Sequence, residues 1–239
     1  MEDAAASESL FTTGVLTTRD GEVTTTERFE SSVEDYVDEV AGRTREELAE
    51  LVRERVEREA VVDPFAALGA EDSRTLAELF ALHDHLTAAA DGGELAAADA
   101  FLSSGDWLSL LPVLRLFRPV ETPTDGVPES FVPVPATHVP HLTRIYSPAV
   151  VYVWLDDCSP CETVKDDLES IFADPQEVMP FAVYGPDHQE FLAEEYQVTA
   201  GPALLFVLDG TVDSRIYGAQ GRRGIEAELA TLRELAAGD

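Results

Sequence analysis

The two cysteines of this chain stand three apart, as Cys158-Ser159-Pro160-Cys161, directly after the apolar run Val150-Val151-Tyr152-Val153-Trp154-Leu155. With only 2 cysteines in 239 residues, a framework of structural disulfides is excluded. A short continuous apolar run reads as a strand buried on both faces. A lone C-x-x-C that leaves such a strand and opens a helix reads as redox or metal chemistry. The helix that follows carries Val164, Leu168 and Ile171 on its inner side.

The residues beyond it continue an α/β pattern. Met179 to Tyr184 reads as a strand and Glu190 to Tyr196 as a short helix. Ala203 to Leu208 and Val212 to Tyr217 read as strands joined by a hairpin turn at Asp209-Gly210. Arg223 to Ala237 closes the chain as a helix with Ile225, Leu229, Leu232 and Leu235 on one face. The order βαβαββα predicts an α/β fold, a central mixed sheet flanked by helices.

Three segments carry a family resemblance. Val151-Tyr152-Val153-Trp154-Leu155-Asp156-Asp157-Cys158-Ser159-Pro160-Cys161 looks like the strand, aromatic residues and active-site turn of the thioredoxin-like family. Tyr196-Gln197-Val198-Thr199-Ala200-Gly201-Pro202-Ala203 looks like the segment that holds the family's cis-proline, and Asp209-Gly210 like the turn between its last two strands. The resemblance covers roughly residues 148–237. It implies that Cys158 is the attacking thiol and Cys161 the resolving one, with Asp157, Ser159 and Pro160 shaping the turn. It further implies that Gly201 and Pro202 receive an incoming peptide beside Cys158, with Trp154 a candidate substrate platform. As a strand residue, Trp154 is more often core. No cofactor is implied beyond the redox-active pair itself. The implied partners are protein disulfides and an electron donor resembling thioredoxin reductase.

The chemistry fits that placement. A thiolate is the nucleophile in disulfide exchange. At a helix N-terminus it meets unpaired N–H groups and the positive end of the dipole, which favour the charged form. Pro160 suits a first turn, where its missing N–H is not needed. Three positions depart from the family's pattern. Asp157 stands where the family has tryptophan, Glu162 where it has a basic residue, and Tyr152 where it has a buried acid used for proton transfer. For Tyr152, plain packing and contact with the dithiol are both open readings. Asp156, Asp157 and Glu162 surround the dithiol with negative charge, which raises a thiol's pKa.

Charge limits the partners. Asp and Glu number 47 against 16 Lys and Arg, for a net charge of -31, and Lys165 is the sole lysine. Dispersed acid with almost no lysine resembles the proteins of extreme halophiles. Such a surface stays hydrated and self-repelling, and molar salt screens the repulsion. It argues against nucleic acid as a partner, since phosphates need a basic patch, and against anionic membrane surfaces for the same reason. The acidic start Met1-Glu2-Asp3 carries no signal-peptide pattern, and no apolar run approaches a membrane span. The expectation is a soluble, cytoplasmic protein.

Four regions are expected. Residues 1–10 read as a mobile acidic N-terminus, 11–118 as a mainly helical domain with a short β-hairpin, 119–140 as a proline-rich linker and 141–239 as the thioredoxin-like domain. The hairpin turns at Asp20-Gly21. A first helix is capped by Ser31 or Ser32, carries Val33, Tyr36, Val37 and Val40, and ends at Gly42. Thr44-Arg45-Glu46-Glu47 is a capping box, and Pro64 breaks the helical pattern after it. A further helix runs from Ser73 to Ala90, a short one over 94–102, and an almost wholly apolar one from Trp107 to Phe117, with Pro112 within it. His83 reads as a core or interdomain residue, and His85 and His188 as solvated.

Two other readings stand beside the redox one. His138 and His141 with the cysteines make up a zinc set, although a proline-rich loop is their ordinary setting. Alternatively, the chain is a non-catalytic thioredoxin-fold binding module. Its helical domain then grips a partner protein and its dithiol is regulatory or vestigial.

Overall fold

The computed structural model describes residues 10–91, 102, 105–117 and 123–238. The chain divides into two units, Met1–Pro119 and Val120–Asp239.

The first unit opens with a hairpin, β1 (Leu16–Arg19) and β2 (Glu22–Thr25), turning at Asp20-Gly21 as expected. Helix α1 runs over Glu27–Val40, α2 over Arg45–Arg53, α3 over Glu59–Glu71 and α4 over Ser73–Asp91. The capping box at Thr44 and Glu47 is present at the start of α2. Helix α1 begins four residues or more before the expected serine cap, because the Thr26 hydroxyl accepts from Phe29 N–H and closes the first turn there. Pro64 lies inside α3 and does not break it. A single backbone bond is forfeited, while Val61, Val62, Phe65 and Leu68 are all buried around it. Burial on every side outweighs the local penalty. The helix expected over 94–102 falls, but for Leu102, outside the described residues. A 3-10 turn at Asp106–Ser109 leads into α5 (Leu110–Leu116), with Pro112 in the first turn, where no N–H is required.

His85 differs from its expectation. It is buried against Phe29, with Nδ1 3.4 Å from Thr13 O and Nε2 3.4 Å from Ser32 Oγ. Hydrogen-bond partners at both ring nitrogens offset its burial. His83 is half-buried beside Trp107.

The second unit is a five-stranded sheet ordered β3-β5-β4-β6-β7. The strands are β3 (Val132–Pro133), β4 (Ala149–Trp154), β5 (Met179–Tyr184), β6 (Ala203–Leu208) and β7 (Thr211–Tyr217). β3 and β4 pair parallel with β5, while β4–β6 and β6–β7 are antiparallel, which gives the mixed sheet the sequence predicts. The helices are α6 (Val139–Ile145), α7 (Ser159–Ile171), α8 (Gln189–Tyr196) and α9 (Arg222–Gly238). The part of the expected linker from Phe131 onward is built into this unit. Val132 and Val134 are buried, Val132-Pro133 forms the sheet edge, and α6 already begins at Val139. Alternating apolar residues with prolines suits an edge strand, where a missing N–H is tolerated.

Strand alternation sends Val150, Tyr152 and Trp154 to one face of the sheet. There they join Val164, Leu168 and Ile171 of α7 and Ile225, Leu229 and Leu232 of α9 in one core. Leu235, expected on that inner face, is 42% exposed. No described helix is long and apolar enough to cross a membrane.

Candidate functional site

Cys158 and Cys161 are joined in a disulfide at the point where the chain passes from β4 into α7. Between strand and helix lie Leu155, Asp156 and Asp157. Asp157 takes a left-handed conformation, φ 49°, which aspartate tolerates better than most residues. That turn places Cys158 as the N-cap of α7. The Cys161 N–H donates to Cys158 Sγ at 3.2 Å, and the Cys158 carbonyl accepts from Cys161 N–H and Glu162 N–H. Pro160 sits in the first turn. The sulfur of Cys158 is therefore the acceptor at the N-terminal end of a helix dipole.

The two sulfurs differ in access. Cys158 is half-buried and Ser159 and Pro160 are exposed, whereas Cys161 is only 4% exposed. Beneath Cys161 lies Tyr152, fully buried, whose phenol donates to the Cys161 carbonyl at 2.9 Å. Burial pushes that phenol's pKa above its usual range. Sequence reasoning left Tyr152 between packing and contact with the dithiol. The contact is with the dithiol's own backbone.

Asp156, Asp157 and Glu162 are exposed around the pair. Asp156 is held from one side, because the Tyr184 phenol donates to its Oδ2. That bond, together with partial desolvation, raises the Tyr184 phenol to about 12. The Tyr184 ring in turn packs on Trp154, centroids 4.8 Å apart.

Trp154 is 3% exposed and belongs to the core. Gly126 covers its indole, so that a Cβ there would fall 2.2 Å from Cε3. Lys165 of α7 reaches over the same segment, its ammonium 2.9 Å from the Asp125 carbonyl. Neither contact is visible in the sequence, where some 28 to 40 residues separate the partners.

The Gly201-Pro202 peptide is cis. Gly201 sits against the end of the strand that feeds the dithiol, since a Cβ on it would lie 2.9 Å from Leu155 Cγ. Pro202 is buried, and its carbonyl accepts from Gly218 N–H at 2.8 Å. His138 lies in a 3-10 turn (Ala136–His138) leading into α6, not in a surface loop, and it is buried because that turn packs into the second unit. Among the described residues no group of three or more His, Cys, Asp or Glu is arranged to hold a metal.

The arrangement offers an accessible sulfur at a helix N-terminus, a shielded partner sulfur, and a glycine-proline segment against the same strand end. A family model described as Thioredoxin matches residues 135–231. Thioredoxin of Mycobacterium bovis is 31% identical over 83 residues, which cover 35% of this chain and 72% of the relative. The bifunctional thioredoxin reductase/thioredoxin of Mycobacterium leprae is 29% identical over 83 residues, 35% of this chain but only 18% of that protein. Among solved structures, mitochondrial thioredoxin 3 of Saccharomyces cerevisiae, in its oxidized form, is 22% identical. That alignment covers 43% of this chain and 96% of the other, with a TM-score of 0.39.

Proposed function

The chain belongs to the thioredoxin family through its C-terminal part, and on that premise we propose that it is a thiol-disulfide oxidoreductase that exchanges its Cys158–Cys161 pair with protein disulfides. The observation that carries the reading is the Cys161 N–H donating to Cys158 Sγ at the N-cap of α7. A donor aimed at sulfur stabilises a thiolate, the form that attacks disulfides. Cys158 is the attacker because its side chain is the more accessible, and Cys161 resolves the mixed disulfide from one helical turn inside.

Asp157, Ser159 and Pro160 shape the turn. Gly201 and Pro202 form the surface that meets a substrate's backbone, supported by the contact of Gly201 with Leu155. Trp154 supports the turn from the core. Electrons come from a donor resembling thioredoxin reductase. The acid excess and single lysine support work in a high-salt cytoplasm.

Reduction of insulin disulfides in molar KCl, with Cys158→Ser as control, tests the reading. Turnover by the wild type and none by the variant is the expected result. No turnover by either would favour a binding module in which the helical part, residues 11–118, holds a partner protein. Cys161→Ser should trap substrates on Cys158 for identification.

A further inference from the structure

Among the described residues of the second unit no carboxylate is buried, and the buried imidazole, His138, lies in the 3-10 turn before α6. The core that holds Cys161 is apolar, with Tyr152 and Trp154 in it and Tyr184 at its edge. The charged groups of the adjoining elements point elsewhere. Asp156 and Asp157 of the turn and Glu162 of α7 are exposed, and Lys165 is bonded to the Asp125 carbonyl. On α9, Arg222 pairs with Glu226 and reaches Ser170 at the far end of α7, and Glu228 accepts from Ser214. Among the described residues, the ionisable group seen to bond the Cys161 residue from inside is thus a phenol, and it already acts as donor to a carbonyl.

Resting on the oxidoreductase reading, we propose that Tyr152 is a positioning residue for the resolving step: it fixes the first turn of α7 through the Cys161 carbonyl and offers the Cys161 thiol no base. Burial pushes the phenol up, which keeps it a donor throughout the working range.

The chemistry then runs in two steps. The Cys158 thiolate attacks one sulfur of a substrate disulfide. A Cys158–substrate bond forms, the substrate S–S bond breaks, and the second substrate sulfur leaves as thiolate. The Cys161 sulfur next attacks Cys158 Sγ. The Cys158–Cys161 bond forms, the Cys158–substrate bond breaks, and the first substrate sulfur leaves as thiolate. The substrate gains two electrons and the protein dithiol loses them. The proton of Cys161 passes to water before the attack, because Tyr152 already donates its own and offers no base, and the leaving thiolate later takes a proton from water. Resolution therefore follows the thiolate fraction of Cys161 directly, and mixed disulfides persist longest at low pH.

The test uses the reduced full chain in molar KCl, mixed with a disulfide-linked cysteine peptide, quenched in acid and counted by intact mass. For the wild type, decay of the mixed disulfide should quicken by about tenfold per pH unit between roughly pH 6 and 8, as a thiolate fraction does below its pKa. In Tyr152→Phe, decay should slow about fivefold, the factor of one lost hydrogen bond, with the same pH slope and an unchanged rate of mixed-disulfide formation. A pH-independent decay in the wild type would reveal a base and overturn the proposal, whether or not the variant folds. So would equal slowing of both steps in Tyr152→Phe, or slowing of neither. Failure of the wild type to form any mixed disulfide at Cys158 is a different result, which overturns the oxidoreductase reading and the inference built on it.

Discussion

Gly126 lies flat on the indole of Trp154, so close that a Cβ would approach Cε3 to 2.2 Å and Cδ2 to 2.5 Å. The segment is held from outside by Lys165, whose ammonium binds the Asp125 carbonyl. A side chain at this position must push the backbone off the ring. Gly126→Ala is expected to cost about 1–3 kcal/mol, the usual range for overpacking. It should shift Trp154 fluorescence to the red as water reaches the indole. Lys165→Met should give the same shift in smaller degree. An unchanged spectrum in both variants would show that the cover is not closed in solution.

The dithiol should respond to salt. Asp156, Asp157 and Glu162 act through solvent, while the N–H to sulfur contact at Cys158 is direct. The Debye length falls from about 10 Å at 0.1 M to about 3 Å at 1 M. Added KCl should therefore lower the Cys158 pKa in folded protein. Alkylation rate against pH, at several salt concentrations where the fold is intact, measures it. A pKa that does not move sinks the prediction.

The left-handed turn before Cys158 is sensitive to side-chain shape. Asp157 sits at φ 49°, where β-branched residues are strained. Asp157→Val should cost about 1–2 kcal/mol in chemical denaturation, while Asp157→Gly should be near neutral. Equal losses in the two variants would point to the carboxylate, not the backbone.

Tyr184 gives a pH signature. Its hydroxyl is pushed up to about 12 from an ordinary 10.0, chiefly through the bond to Asp156. A phenol whose folded pKa is raised stabilises the fold fully below the unfolded value and loses that contribution as pH rises through the folded one. The denaturation gap between wild type and Tyr184→Phe should be flat up to about pH 10 and close toward 12. A gap that stays constant across that window would rule the bond out.

In the helical unit, Glu78 is buried, its side chain 2% exposed, between the Arg74 and Arg115 guanidinium groups at 3.4 and 3.6 Å. Glu78→Gln leaves both cations facing a neutral amide. The loss should be about 2–3 kcal/mol, below that of a wholly buried pair because Arg74 keeps contact with water. Thermal melts of the full chain would report it as a lowered midpoint.

What the sequence disclosed was local. The apolar run at β4, the C-x-x-C, the hairpin turn at Asp20-Gly21 and the capping box at Thr44 each lie within a few residues, where spacing alone carries the signal. What it hid was brought together from a distance. Gly126 with Trp154 and Lys165 with Asp125 are brought together by the tertiary fold, and periodicity cannot report such pairs. Pro64 and His85 were misread for a related reason. Each has a strong local preference, for a break and for solvent, that packing from other helices overrides. Val132-Pro133 lies on the sheet edge that the alternation of apolar residues with prolines allows, although a strand of two paired residues is too short to fix its place from sequence.

Lys165 is also the one place where a chain that otherwise uses arginine keeps an ammonium. Its role there is to present a point charge to a single carbonyl, with Glu169 4.0 Å away. A guanidinium would bring a planar fork of five donors to a spot that offers one close acceptor. The position is a natural site for comparing the two cations: Lys165→Arg keeps the charge and discards the geometry, so any difference it makes belongs to shape alone.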